Sequence, residues 1–113
     1  MSEWDLYSEL KQRQTALDLS IKQLRKSGTA YAEAERKYKI ALRQKALILR
    51  DADMAVGMIN LTVYGEQDVA DLRYERDVAE AVYKANMEAI NATKLAIRII
   101  EGQLNREWSN THD

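Results

Sequence analysis

The chain has 113 residues, of which 31% are charged and 46% hydrophobic, and its formal net charge is −1. It contains no proline, four glycines and no cysteine. This composition favours long helices in a single domain, residues 1–113, and it excludes disulfides and thiolate metal sites.

The first predicted helix covers about residues 3–26. Ser2 is a suitable N-cap, and two carboxylates follow it in the first turn. The inward set repeats every three or four residues: Tyr7, Leu10, Gln14, Leu17, Ile21 and Leu24. Ser27 and Gly28 resemble a helix stop, so the sequence predicts a tight hairpin between antiparallel helices at this point.

The second predicted helix covers about residues 30–50, and a short helix covers 54–64. The inward set of the second helix is Tyr31, Ala34, Tyr38, Leu42, Ala46 and Leu49. Packing in the core is favoured for the two tyrosines, and stacking on nucleic acid is the alternative. Gly65 then predicts a turn before the last helix.

The last predicted helix is very long, about residues 66–108. Its apolar seam alternates four-residue and three-residue steps: Ala79, Tyr83, Asn86, Ile90, Thr93, Ile97, Ile100 and Leu104. Three polar residues interrupt the predicted seams, and we expect them to fix register and oligomeric state: Gln14, Asn86 and Thr93. The fold expected is an all-α, elongated antiparallel three-helix bundle or helical hairpin. The surplus length of the last helix favours a homodimer.

Charge is distributed unevenly along the chain. The segment 36–50 has six basic side chains and no acidic one, and we call these six the basic strip: Arg36, Lys37, Lys39, Arg43, Lys45 and Arg50. The segment 51–80 is acidic, and four of its carboxylates form a candidate partner surface: Asp68, Asp71, Glu75 and Asp77. Mutual neutralisation is the favoured explanation, and the alternative is that the basic strip binds an acidic partner such as DNA.

Catalytic chemistry finds little support in the sequence. The only histidine, His112, is next to the C-terminal residue, which disfavours triads and histidine metal sites. The glycines form no phosphate-binding loop. We therefore expect no enzyme activity, no metal and no cofactor.

Two further features complete the sequence-based expectations. Trp4 and Trp108 are expected to pack together as an end plug of the bundle, with an exposed binding patch as the alternative. No signal peptide and no apolar run long enough to span a membrane is present, so a cytoplasmic protein that does not contact a membrane is expected.

Three stretches of the sequence are distinctive when taken together: LRKSGTAYAEAE (24–35), YKIALR (38–43) and RDVAEAVYKAN (76–86). With residues 106–108, they resemble a family of short, uncharacterised helical proteins encoded by phages and prophages of Firmicutes. The resemblance implies a phage origin, the cytoplasm of a bacterial host, and a role in DNA replication or recombination. It implies no catalytic or binding residue.

Three functional hypotheses follow. The first is a non-enzymatic accessory protein that binds a protein partner and, through the basic strip, DNA. The second is an inhibitor of a host defence nuclease, comparable to anti-CRISPR proteins, that uses the acidic surface to imitate nucleic acid. The third is a coiled-coil structural or assembly factor.

Overall fold

A computed structural model describes residues 2–112 of the chain, and the side chains of residues 2–110. These residues form three helices and no strand: α1 (Glu3–Asp51), α2 (Val56–Val63) and α3 (Gln67–His112). The all-α class and the very long C-terminal helix are therefore confirmed. In each of the two compact units that the chain forms, a segment of α3 packs against a segment of α1, and α2 lies between the two long helices in the sequence.

The two ends of α1 are each fixed by a local hydrogen-bonding pattern. At the start, Ser2 Oγ accepts a hydrogen bond from the backbone N–H of Asp5 at 3.1 Å, which confirms the predicted N-cap. At the end, Asp53 has a left-handed φ of 64°, a conformation that aspartate tolerates better than most residues. The Met54 N–H then reaches back to the Leu49 carbonyl at 3.1 Å, which closes the helix.

The predicted hairpin at Ser27 and Gly28 is wrong, because α1 continues through both residues. Ser27 is buried, and Gly28 faces α3. A Cβ added to Gly28 would lie 3.2 Å from Cε2 of Tyr83, whose ring is also 5.9 Å from that of Tyr31. Gly28 therefore makes room for an aromatic ring from α3, and the two residues do not form a turn.

The chain divides into two compact units. Unit 1 contains Met1–Arg25 and Lys84–Asp113, and unit 2 contains Lys26–Tyr83. The core of unit 2 is formed by Tyr38, Val63 and Val69, with three partly buried leucines packed against it: Leu42, Leu49 and Leu72. This confirms the predicted inward position of Tyr38 and its packing in the core.

Unit 1 has a narrower core of four buried residues: Leu6, Ile90, Ile97 and Ile100. The three isoleucines belong to the predicted seam of α3, and all eight seam positions are at least partly buried. On α1, four of the six predicted inward residues are partly buried, namely Leu10, Leu17, Ile21 and Leu24, and the prediction was wrong for the other two. Leu6 is buried, whereas Tyr7 and Gln14 are exposed, because the inward face follows Leu6, Leu10, Leu17 and Leu24.

The three polar residues predicted to fix the register therefore differ in how far they are buried. Gln14 interrupts no seam. Asn86 is half-buried, and Thr93 is half-buried with its Oγ1 donating a hydrogen bond to the Ala89 carbonyl at 2.9 Å. The role in register and oligomeric state stays a prediction for Asn86 and Thr93. The prediction for Gln14 required a position inside the seam, and Gln14 is exposed.

The predicted end plug of tryptophans is also wrong. Trp4 is 75% exposed and Trp108 is 58% exposed, so neither ring fills an interior space. Trp4 instead stacks beside Tyr7, with ring centroids 6.3 Å apart. These aromatic rings contribute surface to unit 1 and little to its core.

Candidate partner-binding groove

Half of the basic strip is neutralised within unit 2. Arg36 pairs with Glu33, and Lys39 pairs with Glu35 at 3.4 Å, both along the same helix. The hydrogen bond and charge of Arg36 hold the pKa of the Glu33 carboxyl below its ordinary value. These partners lie outside the acidic stretch that was expected to supply them.

One ion pair does join the basic strip to the acidic stretch. Lys45 Nζ lies 3.2 Å from Asp68 Oδ2, and the Lys45 side chain is largely covered. The hydrogen bond from Lys45, reinforced by one from the Val69 N–H, lowers the pKa of the Asp68 carboxyl. Lys45 therefore connects α1 to the first turn of α3 and is not part of the exposed basic surface.

The remaining members of the basic strip are Lys37, Arg43 and Arg50. Within the described part of the chain, none of them has an ion pair. Arg43 and Arg50 are seven residues apart, so they lie on the same side of α1 about two turns from each other. Lys37 lies about 120° around the helix from Arg43. The unpaired part of the basic strip thus consists of two arginines in line, with Lys37 exposed on a different side of α1.

Those two arginines border an open groove between α1 and α2. Its volume is about 380 Å³, and its lining is apolar apart from the arginines: Arg43, Ala46, Leu47, Arg50, Val56 and Ile59. Ile59 is buried and anchors α2, whereas Leu47 and Val56 stay exposed. We call this site the α1–α2 groove.

α2 contributes an unusual amount of apolar surface. Its eight residues, VGMINLTV, contain no charge, yet only Ile59 and Val63 are buried. Val56 and Leu61 are 76% and 75% exposed, and Met58 is also exposed. Soluble proteins rarely expose several large apolar side chains side by side without a binding role. The groove and the outer side of α2 are therefore two exposed apolar surfaces of unit 2.

The acidic candidate surface is largely engaged within unit 2. Asp68 pairs with Lys45, Asp77 accepts a hydrogen bond from Arg76 Nε at 2.8 Å, and Asp71 accepts one from Gln67 Nε2 at 2.8 Å. Glu75 is exposed. The four carboxylates thus do not act as a set of equivalent free charges.

Arg76 is the centre of a further charged contact between α1 and α3. Its guanidinium carbon lies 4.6 Å from the centroid of the Tyr38 ring, and Nη1 lies 3.3 Å from Glu35 Oε2. The cation thus covers one side of a buried aromatic ring while it bridges Glu35 and Asp77. This arrangement stabilises unit 2 and leaves Arg76 unsuited to binding a ligand.

A second open cavity lies in unit 1 beside Trp4, Tyr7 and Leu104, with a volume of about 590 Å³. Ser2 and Glu3, at the start of α1, also line it. Among the described residues no group of three or more potential metal ligands occurs, and no helix could cross a membrane. The side chain of His112 lies outside the described ones.

Comparison with protein-family models, with curated proteins and with solved structures gave no match to this chain. The two groove arginines belong to the predicted basic strip, but the groove itself was not predicted from the sequence. A signal was available, because Glu33 and Glu35 stand three and four residues before Arg36 and Lys39, spacings at which opposite charges pair on a helix. Removing Arg36 and Lys39 leaves four basic residues, and only the folded structure separates Arg43 and Arg50 from Lys37 and from Lys45, which pairs with Asp68.

Proposed function

We propose that the protein is a non-enzymatic binding protein, and that its partner is another protein that contacts the α1–α2 groove and the outer side of α2. The observation that carries the proposal is the exposure of large apolar side chains on two sides of α2, a helix without charged residues: Val56 at the groove, and Met58 and Leu61 on the outer side. Exposed large apolar groups that cluster are typical of protein interfaces. The resemblance to phage proteins suggests a partner from phage or host DNA replication or recombination, in the bacterial cytoplasm.

Direct DNA binding receives less support than protein binding. Affinity for duplex DNA depends on the number of phosphates that Lys and Arg neutralise. Three of the six basic side chains in the strip are already paired, and Lys37 is on a different side of α1 from the two groove arginines. DNA contact through this strip is therefore at most an auxiliary part of the proposed function.

The test compares two variants that carry the same change at different exposed leucines. Leu61→Asp places a charge on the outer side of α2, and Leu95→Asp places one on α3 in unit 1; both leucines are exposed in the wild type. Tagged proteins serve as bait in a lysate of the bacterial cells that make the protein, and captured proteins are identified by mass spectrometry. We expect a partner captured by the wild type and by Leu95→Asp that Leu61→Asp fails to retain.

Equal capture of that partner by all three proteins would place the interface elsewhere and refute the proposal. A circular dichroism spectrum of each bait shows that its helices are intact. A salt series with duplex DNA, run on the same samples, measures the auxiliary DNA contact: a steep loss of binding with rising salt would show that phosphates are neutralised.

A further inference from the structure

The shape of the α1–α2 groove limits what can occupy it. The groove follows α1 for two turns, from Arg43 to Arg50, and its floor contains the small side chain of Ala46. Residues 43, 47 and 50 repeat at the four-then-three spacing with which one helix packs against another. A small residue in the contact lets two helix axes approach closely. These features fit a helix that lies along the groove, a common mode of peptide recognition.

The charges of the groove specify the sequence of that helix further. Arg43 and Arg50 have no ion pair among the described residues, and they are separated by about 10.5 Å along α1. Two carboxylates seven residues apart on a partner helix repeat at the same distance. Between them, apolar side chains at the third and fourth positions would contact Leu47 and Val56, which are exposed in the free protein.

We propose that the α1–α2 groove binds an acidic amphipathic helix of the partner protein, whose carboxylates at positions i and i+7 pair with Arg43 and Arg50. This inference rests on the proposed function, because it names the chemistry of the partner at the same site. The arginines supply charge complementarity and set the register of the bound helix. The apolar floor supplies the burial that makes the helix stay bound.

The test uses two synthetic helical peptides of equal length. Both have leucines at i+3 and i+4; one has Glu at i and i+7, and the other has Lys there. Fluorescence anisotropy measures their affinity for the wild-type protein, for the double variant Arg43→Glu/Arg50→Glu, and for the control Lys37→Glu. The control changes an exposed basic residue that is on a different side of α1.

We expect the wild type and Lys37→Glu to bind the Glu peptide about tenfold more tightly than the Lys peptide, since two solvent-exposed ion pairs contribute roughly this much. The double variant should reverse the preference. A reversed preference also shows that the double variant is folded, because an unfolded chain would bind neither peptide.

Two outcomes would overturn the inference. Equal affinity for both peptides would mean that the groove selects apolar surface without regard to charge. Absence of peptide binding, together with duplex DNA binding that the double variant loses, would assign the arginines to phosphates. If either outcome occurs while Leu61→Asp still loses its protein partner, the proposed function stands and only the acidic helix is refuted.

Discussion

The substitution Gly28→Ala tests the central difference between the predicted and the observed fold. If Gly28 were the left-handed residue of a helix stop, alanine would destabilise the protein by about 1 kcal/mol or more. In the observed structure no glycine has a positive φ, and Gly28 lies inside α1. Alanine is favoured over glycine there by about 1 kcal/mol.

The contact with Tyr83 reduces that gain. The added Cβ would lie 3.2 Å from Cε2 of Tyr83, so the ring must shift by a few tenths of an ångström. The ring belongs to a half-buried side chain packed at an angle against Tyr31, and we expect it to make this shift by a small rotation. We therefore expect Gly28→Ala to stabilise the protein by about 0.5 kcal/mol, which is half the propensity gain.

Urea denaturation followed by circular dichroism measures the change at a fixed protein concentration. The same substitution in a Tyr83→Ala background should give the full gain of about 1 kcal/mol, because the ring is gone. A loss of stability of 1 kcal/mol or more in both backgrounds would refute the continuous helix, since the contact with Tyr83 could not then be its cause.

Three other predictions concern contacts in both units. Asp68→Asn should lower the free energy of unfolding at pH 7, because Lys45 holds the pKa of the Asp68 carboxyl below its ordinary 3.8. The difference in stability from the wild type should disappear as the pH falls through that lowered pKa, and denaturation at several pH values measures it. Arg76→Ala should cost about 1 kcal/mol of stability, because it removes the cation over Tyr38 and two partly exposed ion pairs; an unchanged urea midpoint would contradict this. Trp4→Ala should change the stability by less than about 0.5 kcal/mol, because the ring is mostly exposed, and a drop of several degrees in Tm would show that it is part of a core.

The parts of the fold that depend on local pattern could be predicted from the sequence. The four-then-three spacing of apolar residues predicted the buried side of α3, and Ser2 predicted the start of α1. Gly28 could not be interpreted in the same way. Its role depends on Tyr83, a residue distant in sequence, and a helix stop and a small residue beside a ring have the same local signature.

The candidate site was predictable only in its charges. The sequence shows that residues 36–50 are basic, but the groove exists because α2 folds back beside Arg43 and Arg50 and leaves its apolar residues uncovered. The position of α2 depends on Ile59 and Val63, which are as apolar as the exposed residues next to them. Periodicity over eight residues cannot separate the two groups.

The two units differ in the chain segments that form them, and this difference affects the order in which they fold. Unit 2 is one continuous segment, Lys26–Tyr83, whereas unit 1 is assembled from the two ends of the chain. The contacts of unit 1 therefore close a loop that contains all of unit 2, and the entropic cost of that closure falls sharply once unit 2 is folded. Unit 2 should form first, and an isolated fragment of residues 26–83 should keep its helical circular dichroism. A separate fragment of residues 84–113 should lose much of its helical circular dichroism, because the helix segment that it packs against is at the opposite end of the chain.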